Sequence, residues 1–292
     1  MASFYTDTLR FNYATRGSGT TTFFFQHGSG GTLAQAFRFL IRPEGENPDG
    51  AKGQKCHARN FRLAAFDFRA HGATPLGASE KLRVDVFADD LVAFMDHLQV
   101  ERAVLGGISM GAAVALSAAM RYPKRCIALV LCRPAWLNGS MSSQAIAAYA
   151  EAARLLNDEP SAEDALQKLE KSDLYHELIT FSADAGKSLL GQVRCVVSDP
   201  NLREAAIARL QRLPTGQSGT DLKSAMEVRV PTLIMATPDD PIHPLSFAQA
   251  LAGAIPGALF VQLRPKQLND GPHIEEVNSR IFQFLDSVLP SG

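Results

Sequence analysis

Cysteine is scarce and scattered in this chain. Its four copies, Cys56, Cys126, Cys132 and Cys195, form no CxxC pair, so neither a disulfide framework nor a cysteine-based metal site is expected. A basic tract is also missing. With 29 Lys and Arg against 30 Asp and Glu, nucleic acid is not an expected partner. No apolar run reaches membrane-spanning length, and the opening "MASFYTDTLRFNYATRG" has no apolar segment behind a basic start. These absences lead to the expectation of a cytoplasmic protein, neither membrane-bound nor metal-dependent. Internal repeats and low-complexity segments are lacking too.

What is present is core material. Of 292 residues, 46% are apolar and 20% charged, which supports a large core and excludes a disordered chain. The length suits one α/β domain carrying an insertion. Strand-like runs at Leu9–Ala14, Thr20–Gln26, Leu63–Phe68, Arg102–Ile108, Ile127–Cys132, Val228–Ala236 and Leu259–Leu263 alternate with helical patterns. The helical patterns fall at Leu33–Ile41, Val84–Leu98, Met110–Tyr122, Leu245–Ala254 and Glu275–Leu289. That alternation predicts an α/β fold with a doubly wound, mostly parallel sheet. The polar stretch Arg42–Asn60 reads as a surface loop. Between Trp136 and Met226 strand patterns cease, and breaks near Asn157–Pro160, Ser198–Pro200 and Pro214–Gly219 suggest several short helices. We therefore expect a core of residues 1–135 and 227–292, split by a helical cap of residues 136–226.

The chemistry starts at "VLGGISMGAA", Val104–Ala113. Here a serine stands where a buried strand gives way to a helix. A turn that sharp strains the serine backbone and leaves no room for neighbouring side chains, a need that Gly107 and Gly111 meet on either side of Ser109. A nucleophilic serine also requires a base, an acid to orient that base, and donors for an oxyanion. In a doubly wound sheet these gather at the carboxyl ends of the strands. After Thr20–Gln26 comes "HGSGG", His27–Gly31. Its glycine-rich backbone makes Ser29 a candidate oxyanion donor, paired with Met110 just after the serine. His27 is assigned to shaping that loop. After "VPTLIMA" comes "TPDDPIHP", Thr237–Pro244, and near the C-terminus "NDGPHIEEV" holds His273. Serine, acid and histidine thus occur in the chain order of the elbow motif.

At this point the chain resembles the α/β-hydrolase family with a cap domain. The resemblance covers nearly the whole core, through "HGSGG", "DFRAHGAT" at Asp67–Thr74, "GISMG", "DDPIHP", "IPGA" at Ile255–Ala258 and the final histidine. It implies Ser109 as nucleophile, His273 as base and an aspartate as orienting acid, with no metal or organic cofactor. The family's Asp-x-x-x-Pro pattern favours Asp240, followed by Pro244, over Asp239. Two departures stand out: Pro272 interrupts the usual Gly-His, and Ala70 replaces a usual glycine. Asp270 is read as a solvated loop acid. His71 is read as a structural turn residue, with Asp67 and Arg69 in local hydrogen bonds. His57 and His97 are taken as surface residues, and His176, in the cap, as either a solvated residue or one lining the pocket. His243 lies beside the acid loop with no role assigned.

The expected reaction is hydrolysis of an ester or lactone of a small, largely apolar substrate through an acyl-enzyme, making the protein a carboxylesterase or lactonase. Serine at the elbow speaks against dehalogenation, for which the family uses aspartate. An alternative is a carbon–carbon bond hydrolase of ring-cleavage products, whose loop often reads "HGSG"; Ile274, where those enzymes often carry Trp, counts against it. A second alternative is a ligand-binding protein on the same fold. Arg133, followed by Trp136, lies past a strand end as a candidate for substrate contact, with Arg133 either pairing a substrate carboxylate or held in a structural salt bridge. A homodimer is compatible with apolar residues of the cap.

Overall fold

Strict alternation of burial along the central strands builds the sheet. Phe24, Phe66, Leu105 and Leu129 face one apolar layer. Their neighbours Phe23, Ala65, Val104 and Val130 face the other, as side chains of period two must when both faces are covered. The structure, a computed structural model, describes residues 2–6, 9–38, 61–216, 221–265 and 271–289. The strands are β1 (Ala2–Thr6), β2 (Leu9–Arg16), β3 (Thr21–Gln26), β4 (Phe61–Phe66), β5 (Ala103–Ile108), β6 (Cys126–Cys132), β7 (Thr232–Ala236) and β8 (Leu259–Gln262). They form one sheet in the order β1-β2-β4-β3-β5-β6-β7-β8. β2 pairs antiparallel with β1 and β4, and every later pair is parallel.

The helices are α1 (Leu33–Arg38), α2 (Val84–His97), α3 (Met110–Arg121), α4 (Ser143–Asp158), α5 (Ala162–Glu170), α6 (Asp173–Phe181), α7 (Ala183–Ser198), α8 (Arg203–Arg212), α9 (Leu222–Ala225), α10 (Leu245–Ala254) and α11 (Gly271–Val288). Helices α2, α3 and α10 contribute to one apolar layer, α1 and α11 to the other. The sheet is therefore wound on both faces. Because β4 and β5 flank β3, the chain switches direction there and opens a crevice above the carboxyl ends of β3 and β5.

Several elements depart from the sequence reading, among them β4, which runs two residues earlier than expected. The edge strand β1 was not anticipated. The strand expected over Val228–Ala236 begins only at Thr232, because Pro231 has no N–H to give to a ladder. The last helix starts four residues before Glu275, at Gly271. The expected loop Arg42–Asn60, with Cys56 and His57, residues 39–41 of the first expected helix, and Asp270 lie outside the described residues.

Between β6 and β7 runs the helical insertion, α4 to α9. Serines punctuate it. Ser142, Ser161, Ser172 and Ser182 each accept the backbone N–H three residues ahead and start α4, α5, α6 and α7 in turn. Polar contacts fasten the insertion to the core: Trp136 Nε1 donates to the Leu213 carbonyl at 3.0 Å, Arg209 Nη1 to the Ala70 carbonyl at 2.8 Å, and Ser142 Oγ to the Pro241 carbonyl at 2.7 Å.

Two glycines of the elbow are there for clearance. A Cβ on Gly107 would lie 2.5 Å from the Gly111 carbonyl carbon, and one on Gly111 would collide with the Gln26 carbonyl. Neither neighbour is a side chain that can swing aside. Gly111→Ala is expected to destabilise the fold by about 3 kcal/mol, at the upper end of overpacking costs. For a domain of this size that lowers the Tm by roughly 6–12 °C, which differential scanning calorimetry checks.

Candidate active site

Strand β5 ends at Ile108, and α3 begins at Met110. The residue between them has no regular conformation. Ser109 sits at φ 56° and ψ −112°, a region that costs an L-residue of order 1–3 kcal/mol. Its N–H donates to the Cys132 carbonyl at 2.9 Å, and its own carbonyl accepts the Ala112 and Ala113 N–H groups. The backbone is thus held from both sides, leaving the hydroxyl directed into the crevice.

The imidazole bonded to that hydroxyl belongs to His243, whose Nε2 lies 2.9 Å from Ser109 Oγ. Its Nδ1 lies 2.8 Å from Asp240 Oδ2. The tautomer follows from the partners. A carboxylate only accepts, so Nδ1 carries the proton and donates to Asp240, and Nε2 accepts from the serine. Both residues come from the loop between β7 and α10. Asp240 Oδ1 accepts the N–H groups of Ile242 and His243 at 3.1 and 3.2 Å, folding the loop on itself so that acid and imidazole three residues apart face the same way.

His273 does not join this group. It is buried in the first turn of α11, the helix packed on the opposite apolar layer from α3, and it is not among the residues lining the crevice. His243 occupies the position at Ser109 that the sequence reading gave to His273. The pattern that could have revealed it is Asp-x-x-His within "DDPIHP". Asp239, the neighbouring acid, is exposed at φ 56°.

Arg133 follows β6 at φ 48°. Its Nη2 donates to Asp184 Oδ2 at 2.7 Å and to Asp240 Oδ2, and lies 3.3 Å from His243 Nδ1. The structural salt bridge is therefore the role Arg133 fills. Two carboxylates balance its charge, and the side chain also lines the crevice beside Ser109 and His243. Burial opposes ionisation of Asp240, yet the charges of His243 and Arg133 and their hydrogen bonds outweigh it and hold the carboxyl well below its usual range. Trp136 is buried with its N–H on the Leu213 carbonyl. It belongs to the joint between core and insertion and does not line the crevice, contrary to expectation.

Across from the imidazole lies the loop His27–Gly31. His27 Nε2 accepts the Phe68 N–H at 3.2 Å, which leaves Nδ1 to donate to the Gly28 carbonyl at 2.8 Å. Full burial pushes its pKa down to about 4, so the ring is neutral and the tautomer fixed. The Gly28 carbonyl also accepts the Gly31 N–H at 3.0 Å. In a trans peptide the next N–H points the opposite way, so these two bonds aim the Ser29 N–H away from them. Among the described residues no hydrogen bond occupies the Ser29 or Met110 backbone N–H. Gln35 Oε1 accepts the Gly28 N–H at 2.8 Å, and Gln192 Nε2 donates to the Ser29 carbonyl at 2.8 Å. Gly30, at φ +74°, is a position where a Cβ would strike the Gln192 side chain.

Beside it, His71 Nδ1 lies 2.8 Å from the Arg69 carbonyl, Arg69 pairs with Asp90, and Asp67 accepts from Asn12, Leu33 and Ala73. His97 and His176 are exposed. None of these side chains lines the crevice, which encloses a cavity of about 280 Å³. Its lining includes Gln35, Arg38, Tyr149, Lys187, Ser188 and Gln192 beside Ser109 and His243. Charged and polar side chains thus share the lining with Ile108 and glycine backbone. No cluster of metal-ligating side chains occurs among the described residues, and none of their helices is long and apolar enough to cross a membrane.

A family model described as alpha/beta hydrolase fold matches residues 21–274. The chain belongs to the alpha/beta-hydrolase family. It is 29% identical over 207 residues to a 3-oxoadipate enol-lactonase of Acinetobacter baylyi, a match covering 65% of this chain and 66% of that protein. It is 35% identical over 106 residues to the 2-hydroxymuconate semialdehyde hydrolase of Pseudomonas sp. strain CF600, covering 36% of this chain and 33% of that protein. The meta-cleavage product hydrolase of Pseudomonas fluorescens IP01 superposes with a TM-score of 0.73 at 19% identity, over 98% of both chains.

Proposed function

We propose that this protein is a serine hydrolase that cleaves a small, polar ester or lactone through an acyl-enzyme. The observation that carries the reading is the continuous hydrogen-bonded chain from Ser109 Oγ to His243 Nε2 and from His243 Nδ1 to Asp240. Ser109 attacks the carbonyl while His243 takes the hydroxyl proton, and Asp240 holds the ring in the accepting tautomer. The carbonyl oxygen, now negative, is received by the Ser29 N–H of the loop after β3 and the Met110 N–H at the N-terminus of α3. His243 returns the proton to the leaving oxygen, and water then hydrolyses the acyl-serine by the same route. The helical insertion acts as a cap, and a cavity of about 280 Å³ limits the substrate to a small molecule.

Labelling with a fluorophosphonate, read by intact mass, tests the reading. Wild type is expected to take one adduct, and Ser109→Ala and His243→Ala none. A wild type that stays unlabelled and inert toward 4-nitrophenyl acetate would sink it. The similarity to ring-cleavage hydrolases supports a second reading, carbon–carbon bond hydrolysis. Faster turnover of a vinylogous diketone acid than of any ester would favour that reading.

A further inference from the structure

Helix α7 touches both halves of the site. Asp184, in its first turn, and Gln192, two turns on, lie on one face with Ser188 between them, since positions i, i+4 and i+8 stack along a helix. All three line the cavity. Asp184 is paired with Arg133 at 2.7 Å, and Arg133 in turn is paired with Asp240. Gln192 donates to the Ser29 carbonyl at 2.8 Å. Relative exposures of 7% for Asp184, 2% for Gln192 and 5% for Arg133 mean that water does not compete for these bonds. The opposite flank of α7 buries Ala185, Leu189, Val193 and Val196 in the apolar layer, which fixes the helix against rotation.

The two contacts differ in what they control. The Ser29 carbonyl belongs to the peptide that follows the proposed oxyanion donor. Gly31 and His27 hold the peptide before it, and Gln192 holds the one after, so the Ser29 N–H is fixed from both flanks. Asp184 acts on the other half. It fixes the guanidinium that neutralises Asp240, and with it the charge felt at His243 Nδ1. Buried ion pairs are poor stabilisers, because desolvation offsets their attraction; placed here, the pair instead sets geometry.

We infer that α7 is a positioning strut for the hydrolase site proposed above: Asp184 aligns the acid–imidazole pair through Arg133, while Gln192 aligns the oxyanion loop through Ser29. The site is competent only with α7 docked, so the insertion carries two positioning residues besides shaping the pocket.

The test uses the full chain and 4-nitrophenyl acetate over a range of pH, with thermal unfolding and the rate of fluorophosphonate labelling alongside. The charged groups facing His243 are Asp240 on its own loop, Arg133 after β6 and Asp184 on α7, with Tyr149 of α4 and Lys187 of α7 further along the lining and Arg209 of α8 behind Tyr149. Asp184→Asn removes a negative charge and leaves Arg133 less balanced, which disfavours the imidazolium. The acid limb of kcat/KM is expected to move to lower pH by about one unit, as for one uncompensated charge at this range, with Asp184→Glu keeping the wild-type limb. Gln192→Leu is expected to lower kcat and the labelling rate together by about 10-fold, a tenth or less of the loss when a donor itself is removed, without moving KM or the limb. Gln192→Leu carries the test alone should Asp184→Asn fail to fold. Variants that lose thermal stability yet match wild type in limb, kcat and labelling rate overturn the strut. A wild type that neither turns over the ester nor takes the label overturns the hydrolase reading, and the strut with it.

Discussion

His243→Ala is expected to lower kcat/KM for 4-nitrophenyl acetate by about 10⁴-fold, while His273→Ala stays within about 3-fold of wild type, since removing a triad base costs orders of magnitude and a residue outside the chemistry does not. The contrast rests on one bond, Ser109 Oγ to His243 Nε2 at 2.9 Å. Without the imidazole the hydroxyl proton has no acceptor. The oxyanion donors remain in the alanine variant, which is why activity falls to a residual level and not to nothing. Steady-state kinetics on the two variants, each checked for a native unfolding transition, decides the matter. Equal loss in both, or greater loss in His273→Ala, would return the base to α11.

Asp240→Asn should cost about 10³–10⁴-fold in kcat, because an amide can donate to Nδ1 and so favour the tautomer that cannot accept from serine. It should also change the acid stability of the fold. The carboxyl of Asp240 is held well below its usual range, so its contribution is present above the unfolded value of about 3.9 and is lost as pH falls through the folded value. The Tm gap between wild type and variant is therefore widest near neutral pH and closes progressively below about pH 4. His27 and His71, both buried and depressed by that burial, weaken the two proteins alike as pH drops below about 6.5. Those two contributions cancel in the difference between the proteins. Parallel melts across pH 3–8 with a constant gap would contradict the pairing.

How much of this could be read from the sequence depends on how local the determinant is. The elbow was legible, because Gly107 and Gly111 answer a clash within five residues of chain. The acid was legible for a similar reason: Asp240 lies in the short loop after a buried strand, ahead of Pro244. The imidazole was not. Chain order pointed to His273, the last histidine, whereas the choice of His243 depends on a turn held by Asp240 Oδ1 and on where α11 begins. Cavity polarity was equally hidden. The sequence marks the insertion as helical, yet nothing in a run of short amphipathic helices states that the Asp184–Gln192 face of α7 looks onto Ser109. The first strand was overlooked because it is a short edge strand whose partner, β2, lies outside the parallel pattern that organises the rest.

Acid and imidazole share one short loop here, in place of two loops far apart in the chain. The proposed acid–base pair therefore moves as a single piece, anchored at the end of β7 beside the edge strand β8. Inactivation on heating is therefore expected to coincide with collapse of the sheet.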